Sequence, residues 1–191
     1  AVAAALGDPT PEVSRQAALA LGKLGDRRAI RQVIAMLHGP YDVAREAVKV
    51  MAILKDPQYV PNLLELINQG NWTDGAIYSA LDVIGDRRAV EPLLKRLGEG
   101  VTEEEELEPL AGALGRLKDQ RAVRPLFPLL YHKSASVRTA AAQALHEITE
   151  QDFGEDIIRW RAWWKAERTK NPEAVQEVPY FPPETDDIDI P

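Results

Sequence analysis

Marked for apolar positions alone, the chain repeats itself. After Asp26, Asp56, Asp86 and Asp119, apolar or small residues recur at the third, fourth, seventh, eighth and eleventh positions. The sets are Ala29, Ile30, Val33, Ile34 and Leu37; Tyr59, Val60, Leu63, Leu64 and Ile67; Ala89, Val90, Leu93, Leu94 and Leu97; and Ala122, Val123, Leu126, Phe127 and Leu130. At about 100° per residue these positions gather on one side of a helix, so each acid precedes an amphipathic helix. Upstream of each acid stands a second stripe: Ala17, Ala20, Leu21 and Leu24; Ala47, Val50, Met51 and Leu54; Ile77, Ala80, Leu81 and Ile84; Leu110, Ala113, Leu114 and Leu117; then Ala141, Ala144, Leu145 and Ile148, with Glu150 as the fifth acid. The small residues suit a close approach of two backbones. Each unit is therefore expected to be a pair of helices.

Punctuation fits that expectation. Thr10–Pro11, Gly39–Pro40 and Asp56–Pro57 put proline near a helix start, where its missing N–H is harmless. Thr102 and Glu105 are spaced as a capping box, and the extra residues of the third unit fall in the loop sequence GEGVTEE at 98–104. A recurrence of about 30 residues means stacked units, because one helix pair cannot bury both of its stripes unaided.

The period, the alanine-rich first helix and the wording LGDRRA at 24–29, answered by IGDRRA at 84–89, resemble the HEAT repeat family, in particular the short HEAT-like repeats of phycobilisome lyases. The resemblance covers roughly residues 1–168 and implies an all-α, right-handed α-solenoid of about five helix pairs with the second helices lining its concave face. The units are expected at roughly 8–38, 39–70, 71–98, 102–132 and 135–168, a body of 1–170, with 171–191 as an extended tail. The opening AVAAAL reads as the end of a preceding helix, and the missing initial Met suggests a fragment or mature form.

Charge changes the picture at one place. The formal net charge is −7, yet segment 171–191 contains Glu173, Glu177, Glu184, Asp186, Asp187 and Asp189 and no base. Removing those six acids from the total of 30 leaves 24 against 23 bases, so the body is nearly neutral and the tail is the acidic part. A neutral body lacks the basic excess that neutralises phosphates, which argues against a nucleic-acid partner. No apolar run approaches the roughly 18 residues of a membrane span. With no cysteine, there is neither a disulfide framework nor a thiolate metal site.

Candidate chemistry is sparse. His38, His132 and His146 lack the spacing that seats a metal on one helix face, and the single His146–Glu147 pair falls short of the several pairs that HEAT-like deoxyhypusine hydroxylases use for iron. No metal site and no cofactor are expected. HEAT-like DNA glycosylases use a basic, aromatic groove; here the first two-thirds of the chain has only Trp72, expected to pack over a repeat edge. No phosphate loop, nucleophile elbow or catalytic triad pattern occurs. The acids Asp26, Asp56, Asp86, Asp119 and Glu150 are expected to cap helices, and Trp160, Trp163 and Trp164, at i, i+3 and i+4, to close the open end of the stack.

What remains is the polar side of the second helices. Counting two, five, six and nine residues after each acid gives Arg28, Gln58, Arg88 and Arg121; Arg31, Pro61, Glu91 and Arg124; Gln32, Asn62, Pro92 and Pro125; and Ala35, Glu65, Lys95 and Pro128. Five arginines against two acids make a locally basic ridge, with Arg28, Arg31, Arg88, Lys95, Arg121 and Arg124 as candidate binding residues; internal pairing with the acid column is the competing role. Pro61, Pro92 and Pro125 suggest that the second helices open with an irregular turn. The proline-rich acidic tail could dock along such a ridge, on its own or a neighbouring copy, or reach a partner. These readings point to a non-enzymatic scaffold that binds a protein or peptide, possibly acidic. The alternative is a partner-dependent subunit of an enzyme complex resembling phycobilin lyases.

Overall fold

The computed structural model describes residues 10–23, 27–69 and 75–170, with Ala5 and Asp8 besides; Asp26 and Trp72 lie outside the described residues. Every regular element among them is helical. The chain divides into two compact units, Ala1–Ala89 and Val90–Pro191. The first holds α1 (Pro11–Lys23), α2 (Arg27–Met36), α3 (Tyr41–Leu54), α4 (Val60–Gln69) and α5 (Ala76–Ile84); the second holds α6 (Val90–Gly98), α7 (Glu104–Leu117), α8 (Val123–Leu126), α9 (Ala135–Thr149) and α10 (Ile157–Lys170). None of the described helices is long and apolar enough to cross a membrane.

Helix starts follow the local sequence. Pro11 opens α1, and the preceding turn is fastened by the Thr10 N–H donating to Asp8 Oδ1 at 2.8 Å and by the Ser14 hydroxyl donating to the Asp8 carbonyl at 2.8 Å. The capping box at Thr102 does not form: α7 begins one residue after Glu103, which takes the N-cap position, and Thr102 Oγ1 faces the Glu103 carboxylate instead. Helix ends share one device. Lys55, Gly85, Lys118 and Glu150 adopt left-handed backbone (φ 52°, 69°, 52° and 61°), and each donates its N–H back to a carbonyl of the last turn. Only Gly85 does so without a steric penalty.

Within the first unit α3 packs against α1 and α5, α2 against α1 and α3, and α4 against α5. Ala44, Ala47, Val48, Val50 and Met51 of α3 are buried, with Ile77, Tyr78, Ala80 and Leu81 of α5 and Val33, Leu63, Leu66 and Ile67 from the second helices. Each valine, leucine, isoleucine or methionine among them contributes about 1.5–3 kcal/mol when fully buried. In the second unit α7 lies along α9, and the approach is close: a Cβ built on Gly115 would stand 2.6 Å from the Ala144 Cα. Ala113, Ala141 and Ala144 are fully buried around it. α6 packs on α7, α8 on α9, and α10 against the turn Phe127–Tyr131.

Second helices open through 3₁₀ turns at Pro57–Tyr59, Arg87–Ala89 and Gln120–Ala122. Pro61, Pro92 and Pro125 then fall inside the first turn of α4, α6 and α8, where a missing N–H breaks no bond. The expected long fourth second helix is shorter: Pro125 and Pro128 limit α8 to Val123–Leu126, and the chain continues as the 3₁₀ turn Phe127–Tyr131.

Candidate binding ridge

The acid column and the ridge arginines meet at the turns. Asp56, Asp86 and Asp119 each accept, through Oδ1, the backbone N–H two residues on: Gln58 at 2.9 Å, Arg88 at 2.9 Å and Arg121 at 3.1 Å. This closes an Asx turn and caps the 3₁₀ segment that follows. Where arginine stands at that second position, its guanidinium returns to the same carboxylate. Arg88 sets Nε 3.0 Å and Nη2 2.7 Å from Asp86 Oδ2; Arg121 sets Nε 2.9 Å from Asp119 Oδ1 and Nη2 3.1 Å from Oδ2. The hydrogen bonds from Arg88 hold the Asp86 carboxyl below its usual range, and the same pairing raises the Arg88 and Arg121 guanidinium pKa values.

Both arginines also reach back one repeat. Arg88 Nη2 donates to the Pro57 carbonyl at 2.7 Å, and Arg121 Nη1 donates to Glu91 Oε2 at 2.8 Å. One planar fork thus ties its own turn to the preceding one, within the first unit for Arg88 and within the second for Arg121. Two candidate binding residues are occupied by the fold itself. Arg28 holds the same repeat position; its side chain lies outside the described residues.

The other ridge cations differ. Arg31 is exposed and Arg124 half-buried, and neither has an acidic partner among the described residues; Lys95 reaches only Glu99, at 4.0 Å. Glu150 is not a turn acid. It occupies the left-handed position that ends α9, equivalent to Lys55, Gly85 and Lys118, and is exposed. The capping carboxylate of the last repeat is Asp156, whose Oδ1 accepts the Arg159 N–H at 3.1 Å and whose carbonyl accepts the Trp160 N–H. Repeat spacing alone pointed six residues short of Asp156, because an acid that ends one helix and an acid that begins the next look alike in sequence.

Two clusters had no sequence signal beyond their residue types. The nearly buried Glu106 of α7 receives Arg96 of α6 through Nε to Oε1 at 2.7 Å and Nη2 to Oε2 at 3.1 Å. At the neighbouring N-termini of α7 and α9, Glu104 Oε1 accepts both the Ser134 hydroxyl at 2.6 Å and the Ser136 hydroxyl at 2.7 Å, which lowers the Glu104 pKa. His132 Nδ1 accepts the Ser134 backbone N–H at 3.2 Å, so the serine hydroxyls bond a carboxylate and the imidazole bonds the backbone. That geometry ties two helix ends together and prepares no nucleophile. His146 Nδ1 lies 3.0 Å from the Gln151 carbonyl, and among the described residues no group of three or more potential ligands is placed to hold a metal ion.

The C-terminal aromatics close the second unit. Trp160 is fully buried, its indole N–H donates to the Gly154 carbonyl at 2.8 Å, and Phe153 meets it edge-on with centroids 4.9 Å apart. Trp163 is half-buried and Trp164 is buried, so the three indoles form a continuous series.

Two family models match this architecture: the PBS lyase HEAT-like repeat over residues 13–39 and the HEAT repeat over residues 122–151. The chain is a HEAT-like repeat protein. Its relatives include the bilin biosynthesis protein PecE of Mastigocladus laminosus, 36% identical over 59% of this chain and 42% of that protein, and the phycocyanobilin lyase subunit alpha of Nostoc sp. strain PCC 7120, 33% identical over 76% of this chain and 46% of that one. The chain therefore spans about half the length of these curated relatives. Among solved structures, the complex of CpcE and CpcF of phycocyanin lyase from the same Nostoc strain contains a similar fold, with TM-score 0.65 and 23% identity over 78% of this chain and 64% of that one. This is the all-α class of the helical-repeat solenoids.

These relatives overturn the expectation of a non-enzymatic scaffold. An interaction surface was inferred because no catalytic pattern is written in the chain; the relatives are named for bilin biosynthesis and as subunits of a bilin lyase, which supports the partner-dependent alternative instead. A subunit can serve an enzyme while carrying no motif of its own, so the lack of a catalytic pattern does not argue for a scaffold.

Proposed function

We propose that this chain is the helical-repeat part of a bilin lyase, working with a second protein subunit to join a bilin covalently to an acceptor protein. The observation that carries the reading is the likeness to lyase subunits across most of the chain, 31% identity over 79% of it for the phycocyanobilin lyase subunit alpha of Picosynechococcus sp. and 33% over 76% for that of Nostoc sp.. In this reading the repeat body runs over 1–170 in the five helix pairs expected from the sequence, and its role is to bind and orient.

The ridge supports a division of labour. Arg88 and Arg121 are held by the turns they fasten, whereas Arg31, Lys95 and Arg124 are available to acidic groups on a partner or a cargo molecule. A guanidinium offers a carboxylate two parallel donors, which supplies orientation as well as attraction.

The test is reconstitution. The chain is mixed with a second lyase subunit, phycocyanobilin and an acceptor lacking chromophore, and colour retained on the acceptor after denaturation is measured. The reading expects bound colour above a reaction without the chain, reduced by the pair Arg31→Ala and Arg124→Ala with the fold intact. Equal colour with and without the chain would sink it.

A further inference from the structure

α10 presents two unlike faces. Ile157, Trp160 and Trp164 are buried, while Ile158 is 70% exposed and shares the outer surface with Arg159, Ala162, Lys165, Ala166 and Lys170. The helix carries Arg159, Arg161, Lys165, Arg168 and Lys170 against one acid, Glu167. Arg159 lies over the Phe153 ring at 4.7 Å, but Arg161, Lys165 and Lys170 have no carboxylate partner among the described residues. An exposed isoleucine within a basic helix is an interaction surface awaiting an acidic, partly apolar occupant.

Such an occupant is attached to it. Segment 171–191, which follows Lys170 directly, holds six acids and no base, with Val178, Tyr180, Phe181, Ile188 and Ile190 between them. Pro172 has no N–H with which to continue a helix. The 14 residues of α10 extend about 21 Å at 1.5 Å each. A strand-like return would gain about 3.3 Å per residue, enough for Glu173 and Glu177 to reach the bases and for Val178 to come level with Ile158. Tethering keeps the local concentration high however weak each contact is. The ridge is a poorer host, since two of its arginines are already bound.

We infer that the acidic tail folds back along the outer face of α10 of its own chain, pairing with Arg161, Lys165 and Lys170 and covering Ile158. The tail is then a salt-sensitive cover for the terminal helix. This stands or falls independently of the lyase reading.

The chain contains no cysteine, so a double variant reports directly. Ile158→Cys with Val178→Cys is oxidised by glutathione disulfide beside a control pair, Glu108→Cys with Val178→Cys, whose first position is exposed on α7. The cover expects the first pair to close within one chain about tenfold faster, an advantage lost at about 1 M salt, where the screening length falls to roughly 3 Å. Adding Arg161→Glu and Lys165→Glu should remove the same advantage, with helix content by circular dichroism confirming a folded chain. Equal rates for the two pairs would overturn the inference, as would a disulfide found only between chains.

Discussion

Where α7 meets α9, the backbones come close because a side chain is missing: Gly115 faces Ala144 at a separation that leaves no room for a methyl group. At the turns Asp86–Arg88 and Asp119–Arg121 the neighbours are joined by long, charged side chains that bridge one repeat to the one before. Both regions lock a repeat to its neighbour, one by size and the other by charge. The first kind of contact tolerates almost no substitution, because a packed crossing can only shift as a whole. The second is replaceable position by position, as Gln58 shows by keeping the turn without the guanidinium. That freedom leaves the ridge positions open to change while the close crossing of α7 and α9 is not.

The sharpest way to break the comparison is Gly115→Ala. Helix propensity alone favours alanine by about 1 kcal/mol. The added Cβ meets the Ala144 Cα at 2.6 Å and its Cβ at 2.8 Å, and both atoms lie on the buried stripe of α9, where no rotamer change can move them aside. Overpacking of this kind costs about 1–3 kcal/mol beyond the propensity gain. Urea unfolding followed by circular dichroism should show a net loss; a gain would mean that α7 and α9 slide apart freely.

Next in size is the turn. Asp119→Ala removes the acceptor for the Arg121 N–H and the carboxylate that holds its guanidinium, and should destabilise by about 1–2 kcal/mol. Arg121→Ala spares the backbone bond and should lose no more than about 1 kcal/mol, since the pair is partly exposed. At Asp86 the lowered folded-state pKa makes the ion pair's contribution complete above the ordinary aspartate range and lost as pH falls through the lowered value. Asp86→Asn should therefore flatten the acid side of the stability profile. An unchanged acid limb would show that the pair contributes nothing.

A smaller effect of opposite sign sharpens the contrast. Gly112 lies on the same helix as Gly115, yet a Cβ there meets nothing within 4 Å. Gly112→Ala should raise stability by about 0.5–1 kcal/mol through helix propensity alone. A loss in thermal unfolding would place an unseen neighbour on that face of α7.

The helix pairs were legible because burial imposes a period that survives in the residue types: Val50, Met51, Ala80, Leu81, Ala113 and Leu114 recur at matching places and are all buried. The turn acids Asp56, Asp86 and Asp119 were legible for a similar reason, a short carboxylate before a helix start having few other roles. Composition showed an excess of arginine but not that Arg88 and Arg121 are bound by the fold, since the partners lie about one repeat away and one of them is a backbone carbonyl. The role of Gly115 beside the alanine stripe has no sequence signal, because a glycine reports nothing about what presses on it. The likeness to lyase repeats showed in the wording LGDRRA at 24–29 and IGDRRA at 84–89, which marks a fold and not a catalytic residue.

The smallest change tests the one turn that departs from the pattern. Ala89 and Ala122 occupy the third place after their acids; the turn after Asp56 has Tyr59 there, fully buried, with no partner for its hydroxyl. Burial, aided by the nearby Asp56 charge, raises its pKa to about 12. At pH 7 Tyr59→Phe removes an unsatisfied group and should raise stability by no more than about 0.5 kcal/mol. The pH dependence is more telling. A raised folded-state pKa means that stability is complete below the unfolded tyrosine value of about 10 and falls as pH rises from there through 12, where the unfolded chain ionises first. Between pH 9 and pH 11 the parent chain should lose about 1 kcal/mol more than Tyr59→Phe, read from urea midpoints at each pH. Parallel losses in the two proteins would mean that the hydroxyl reaches water, and that this turn is looser than its counterparts at Asp86 and Asp119.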